Sequence, residues 1–197
     1  MSTTEADALT AAQSDADPWK YFWYLVFAAI MWVSSLPLYV DLHWPLVWSR
    51  KGLLLVHEFA GFLFVGHTLF SNIWAMRIRM TMGREAGIWA RAFLRKLALG
   101  ITFPTSIISP LAGLLLIQHY GGLRENPWAW DAYLAMWLMA GISIVPDVIR
   151  YGRNRNAGDP RHGILSGALR GNFGTLMVIY IIWCMITKES QLYGLFY

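Results

Sequence analysis

Five stretches of this chain are apolar over about the ~20 residues a helix needs to cross a bilayer's ~30 Å hydrocarbon core. They are Tyr21–Val40, Leu53–Met76, Leu97–Gln118, Trp130–Ile149 and Gly171–Thr187. Inside that solvent each backbone N–H and C=O has to find its partner within the segment, which the helix provides. The expected fold class is all-α: a polytopic integral membrane helical bundle of about five transmembrane helices. Composition agrees, since 56% hydrophobic and 14% charged residues lie outside the usual range of a soluble domain. Residues 1–18, rich in Ala, Ser, Thr and Asp, read as a disordered cytoplasmic tail. Residues 19–197 read as a single bundle domain. The first apolar stretch follows an acidic, polar segment without a basic leader or a small-residue cleavage site, so it is expected to stay as a span.

Basic residues supply an orientation. With the N-terminus inside, the inner loops and ends receive Lys20, Arg77, Arg79, Arg84, Arg91, Arg95, Lys96, Arg150, Arg153, Arg155, Arg161 and Arg170. The outer side keeps Arg50, Lys51, Arg124 and Lys188. Such a bias predicts N-in, C-out topology. It also accounts for the basic pI without any nucleic acid, the bilayer and its anionic headgroups being the partner. Trp44, Trp48, Trp128 and Trp130 on one side, and Trp19, Trp23, Trp74 and Trp89 on the other, read as interfacial belts. The segment from Arg77 to Lys96 is expected to extend the second and third spans and to lie partly along the headgroups, turning at Gly83 and Gly87. The third span carries Pro104 and Pro110, each lacking a backbone donor. It is expected to bend and to show a polar stripe of Thr102, Thr105, Ser106 and Ser109.

Chemistry concentrates in the second span, where His57, Glu58 and His67 stand in otherwise apolar sequence. Titratable groups are expensive in hydrocarbon and ask for a ligand, a proton path or a buried polar contact. Ten residues separate the two histidines, about 15 Å of rise and roughly 80° of rotation, so they cannot both ligate one small metal ion from a straight helix. Partners are available from the outer side. His57 with His119 or with His67 is a candidate axial pair for one b-type haem. His57, His119 and His43, with Glu58, are candidate ligands for copper or zinc, because imidazole suits both and carboxylate is acceptable. Glu58 either exchanges protons with the outer phase or orients a histidine. His162 lies in a polar loop, and Asp147 near the inner boundary reads as an anchor. The lone Cys184 rules out an intramolecular disulfide and a cysteine-rich metal centre. No Gly-rich phosphate loop and no GxSxG elbow occurs, and His57-Glu58 is followed by Phe59-Ala60-Gly61, not by an HExxH pattern.

The run from His57 through Gly61, Phe64 and Gly66 to Arg77, together with Pro104 and Gly113-Leu-Leu-Leu, resembles a group of small bacterial membrane proteins. The group comprises the HemJ-like haem-containing protoporphyrinogen oxidases, the CopD-like copper-resistance membrane domains and a related uncharacterised family. The resemblance covers approximately residues 50–155. It implies a bundle in which His57 is the first residue to test as a haem or metal ligand. The expected function is haem b binding in electron transfer or redox chemistry linked to a quinone or tetrapyrrole. Two alternatives stand beside it: an accessory or assembly subunit of a larger membrane complex with structural histidines, and copper or zinc handling at the outer face.

Overall fold

The computed structural model describes residues 20–151 and 164–197. The expected tail, His162 and the loop arginines Arg153, Arg155 and Arg161 lie outside the described residues. Every regular element within them is helical. Helix α1 (Lys20–Ser35) tightens into a 3-10 turn at Leu36–Leu38, where Pro37 sits. After an irregular stretch, the hydroxyl of Ser49 accepts the Gly52 N–H at 3.2 Å and starts α2 (Arg50–Thr81). At 32 residues, α2 is about 48 Å long and overruns a ~30 Å core. The chain reverses at Met82 and Gly83 into α3 (Arg84–Leu97), which runs on through a wide turn at Ala98–Thr102 into α4 (Phe103–Ile117). A 3-10 turn at Gln118–Tyr120 follows, then Gly121 and Gly122 at φ +95° and +96°, a left-handed pair that side-chained residues adopt poorly. Helices α5 (Pro127–Tyr151), α6 (Ile164–Thr187) and the short α7 (Tyr193–Phe196) complete the described chain.

Among the described residues three helical stretches are long and apolar enough to cross a membrane: α2, the continuous rod Arg84–Tyr120, and Leu165–Thr187 of α6. The rod shows how the third span absorbs its prolines. Pro104 has no N–H, and just before it the ladder widens so that Phe103 N–H reaches the Ala98 carbonyl five residues back. Thr105 Oγ1 then donates to Ile101 O at 2.6 Å and Ser106 Oγ to Phe103 O at 2.8 Å. Gly83 makes the expected turn between α2 and α3. Gly87 does not, being buried one turn inside α3 with its N–H on Gly83 O at 3.1 Å.

Packing is by two antiparallel pairs, α2 against α3–α4 and α5 against α6, with a slighter contact between α2 and α6. Small residues fill the seams: Ala60 and Ala75 in α2, Ala90 in α3, Ala112 in α4, and Ala132, Ala135 and Ala140 in α5 are all buried. That is the signature of helices held by close backbone approach where lipid removes the hydrophobic incentive to associate. Near the α2–α3 turn, Trp89 stacks on Phe93 at 5.2 Å, and Trp74 meets both edge-on.

A core of larger residues lies at the opposite end. There Leu38, Ile117, Leu123, Ala129, Trp130 and Tyr133 pack together. Trp130, expected in an interfacial belt, is instead 3% exposed, its indole N–H donating to Leu38 O at 3.2 Å. Tyr133 Oη donates to Ser34 O and ties α1 to α5. The residues after α6 fold back over this end, with Tyr193, Phe196 and Tyr197 against the Trp130 ring. Lys188 holds a left-handed φ of +60° and sets its ammonium 3.7 Å from the centre of the Trp128 ring. Burial pushes that ammonium below its ordinary range, and the Glu58 carboxylate of the other pair pulls it back up.

Candidate functional site

The seam between α2 and α4 brings both span histidines against the polar stripe of the proline helix. His57 Nδ1 lies 2.8 Å from the Ser109 carbonyl oxygen. A carbonyl only accepts, so Nδ1 carries the proton and, in the neutral ring, Nε2 keeps its lone pair. The Ser109 hydroxyl completes a reciprocal clamp by donating to the His57 carbonyl at 3.2 Å. Two glycines make room. A Cβ on Gly113 would stand 3.0 Å from both Cε1 and Nδ1 of His57, and one on Gly61 would stand 3.3 Å from Ser109 Oγ. His57 is partly buried, and its Nε2 is neither hydrogen-bonded nor sealed from the surroundings. A ring with one nitrogen pinned to a carbonyl and the other presented is the arrangement a ligating histidine needs.

About 15 Å further along α2, His67 repeats the pattern with a different partner. Its Nδ1 lies 2.8 Å from Thr102 Oγ1, the residue that closes the wide turn before Phe103. A hydroxyl both donates and accepts, so this contact leaves the His67 tautomer open. His67 Nε2 is buried without a partner, as is the neighbouring Thr68 Oγ1. Along the polar stripe of the third span, Thr102 and Ser109 thus meet the two imidazoles while Thr105 and Ser106 bond their own helix.

The other expected ligands stand apart from His57. His119 follows Gly113 by six residues, about 9 Å along the helix axis, and its Nε2 donates to Trp48 O at 3.1 Å. It lines a groove of about 240 Å³ together with Trp44, Pro45, Leu46, Val47, Trp48, Leu53 and Leu115. His43 is exposed, 4.0 Å from Asp41. Glu58 is exposed, and among the described residues no hydrogen bond or ion pair joins it to a histidine. Among the described residues no three His, Cys, Asp or Glu side chains gather as a metal site. The expected copper or zinc set of His57, His119 and His43 is thus not assembled among the described residues.

Asp131 is, among the described residues, the most completely buried charged side chain, at 0% exposure. Its Oδ2 accepts from Tyr180 Oη at 2.6 Å and from the backbone N–H groups of Gln191 and Leu192 at 2.7 and 2.8 Å. Oδ1 is buried without a hydrogen bond. Buried Cys184 lies one turn beyond Tyr180 on α6. This carboxylate fastens the segment after α6 to the start of α5, and the only sequence signal for it was an acid one residue inside an apolar run.

No protein-family model, curated protein or solved structure matches this chain.

Proposed function

We propose that this chain is a five-helix, N-in/C-out protein of the bacterial inner membrane that binds one b-type haem through His57 and serves electron transfer or redox chemistry linked to a quinone or tetrapyrrole. The observation that carries the reading is the pinned Nδ1 and free Nε2 of His57. Ser109 and Gly113 hold the ring, the first by its carbonyl and the second by its missing side chain. Haem bound there supplies a one-electron ferric/ferrous couple. In this reading the chain offers that group one imidazole: His67, whose Nε2 is enclosed without a partner, lies about 15 Å further along α2, and His119 is held by the Trp48 carbonyl. The orientation is supported by the way one end of both helix pairs carries Arg50, Lys51, Arg124 and Lys188, while the α2–α3 turn carries Arg77, Arg79 and Arg84.

Absorption spectra of the purified protein test the reading. A Soret band that shifts on dithionite reduction, and is lost in His57→Ala, is the expected result. A colourless protein overturns it. An accessory or assembly subunit of a larger membrane complex is a second reading, favoured by how little of itself the chain covers: 11% of the apolar window of α2 is buried. Stoichiometric co-purification of other subunits with a colourless chain would select that reading.

A further inference from the structure

The groove beside His119 has the chemistry of a binding site for a small ring. Its walls are Trp44, Trp48, Leu53 and Leu115, and His119 is the one titratable side chain that lines it. The His119 Nε2–H is committed to the Trp48 carbonyl at 3.1 Å. That bond fixes the loop wall and leaves the neutral ring a lone pair on Nδ1, so the site offers an acceptor and asks its occupant for a donor. At about 240 Å³ the groove falls below the ~300 Å³ at which sites for drug-sized ligands begin. It suits one substituted six-membered ring and is too small for a porphyrin.

Position narrows the ligand further. Trp44 and Trp48 are exposed, and in the proposed topology they fall at the outer interface, where an amphiphile enters from lipid. Leu53 lies four residues before His57 on the same face of α2, about 6 Å along the axis. An occupant of the groove therefore sits one helical turn from the presented imidazole.

We propose that this groove binds the hydroquinone head of a membrane quinol, a phenolic hydroxyl donating to His119 Nδ1 and the tail running into lipid. The choice of a redox-active ring rests on the haem reading of His57; the groove and its need for a donor do not.

The test is 19F NMR of the full chain in nanodiscs with fluorotryptophan, titrated anaerobically with a decyl-tailed benzoquinol. Of the eleven tryptophans, Trp44 and Trp48, assigned by their Phe variants, are expected to shift saturably while the others hold still. His119→Phe should weaken quinol binding roughly tenfold, one hydrogen bond in an apolar site. The oxidised quinone, which has no hydroxyl to donate, should bind at that weaker level with or without His119. Leu115→Trp fills the groove without touching His119 and should abolish the shifts, which covers the case in which His119→Phe fails to fold. Absent shifts, shifts scattered over all tryptophans as from lipid partitioning, or equal binding of quinol and quinone would each overturn the proposal. None of these readouts requires haem, so a colourless protein that still binds quinol would separate failure of the haem reading from failure of this one.

Discussion

Gly113 is the position at which the placement of His57 is most directly testable. A methyl there would stand 3.0 Å from Cε1 and Nδ1 of the imidazole, against the ~3.5–4.0 Å of comfortable carbon contact. The ring would have to retreat by about half an ångström, straining a bond of 2.8 Å to the Ser109 carbonyl. Overpacking of this kind costs about 1–3 kcal/mol, while replacing a helical glycine by alanine returns about 1 kcal/mol. Gly113→Ala alone is therefore expected to destabilise by up to about 2 kcal/mol. In a His57→Ala background the clash is gone, and the same substitution should stabilise by about 1 kcal/mol. The two sites should thus couple by about 1–3 kcal/mol, the range found for residues in contact. Gly66→Ala, whose added methyl meets nothing within 4 Å, is the control and should show the propensity gain alone. Reversible unfolding in mixed micelles or bicelles measures all four proteins of the cycle and the control. Additivity within ~0.5 kcal/mol, or equal effects at Gly66 and Gly113, would refute the packing of His57 against α4.

Asp131→Ala should cost about 3–5 kcal/mol, because it strips the partner from a half-buried tyrosine hydroxyl and two backbone N–H groups. Limited proteolysis should then cut within Ser190–Tyr197 well below the melting temperature; a tail still protected would contradict its role as the fastening. Thr102→Val removes the hydroxyl that His67 Nδ1 meets and should destabilise by about 1 kcal/mol. Ser109→Ala keeps the carbonyl that fixes the His57 tautomer, so the haem spectrum should survive it, and loss of the Soret band in that variant would count against the carbonyl. For topology, Cys184 is fully buried, so a membrane-impermeant maleimide should leave the native chain unlabelled in intact cells. Ser49→Cys should label from outside and Gly83→Cys after lysis alone; the reverse pattern would invert the assigned orientation.

The long apolar runs made the helical class legible, because period and length need no tertiary information. The proline-driven irregularity of the third span was legible too, since a missing N–H must be compensated locally. What those prolines were for was not. Only packing shows that Ser109 and Thr102 turn toward α2 while Thr105 and Ser106 stay on their own helix. Trp130 misled for a related reason: a tryptophan near a span end fits an interface or a core equally well, and the fold-back of residues 188–197 decided for the core. His57 was singled out as a ligand candidate from its cost in hydrocarbon, and its companions were chosen by depth alone; the partners that packing gives it are Ser109 and Gly113. His119 shares that depth roughly and still stands a turn and a half away, facing a different groove. Asp131 was undervalued because its partners come from residues 180–192, a fold-back that no local pattern announces.

The central claim is that His57 Nε2 is the chain's haem ligand, and ligand replacement tests it most directly. His57→Gly should purify without a Soret band, and added imidazole should restore one, while His67→Ala and His119→Ala keep theirs. A full Soret band in His57→Gly without imidazole, or its loss in His119→Ala or His67→Ala instead, would contradict the account.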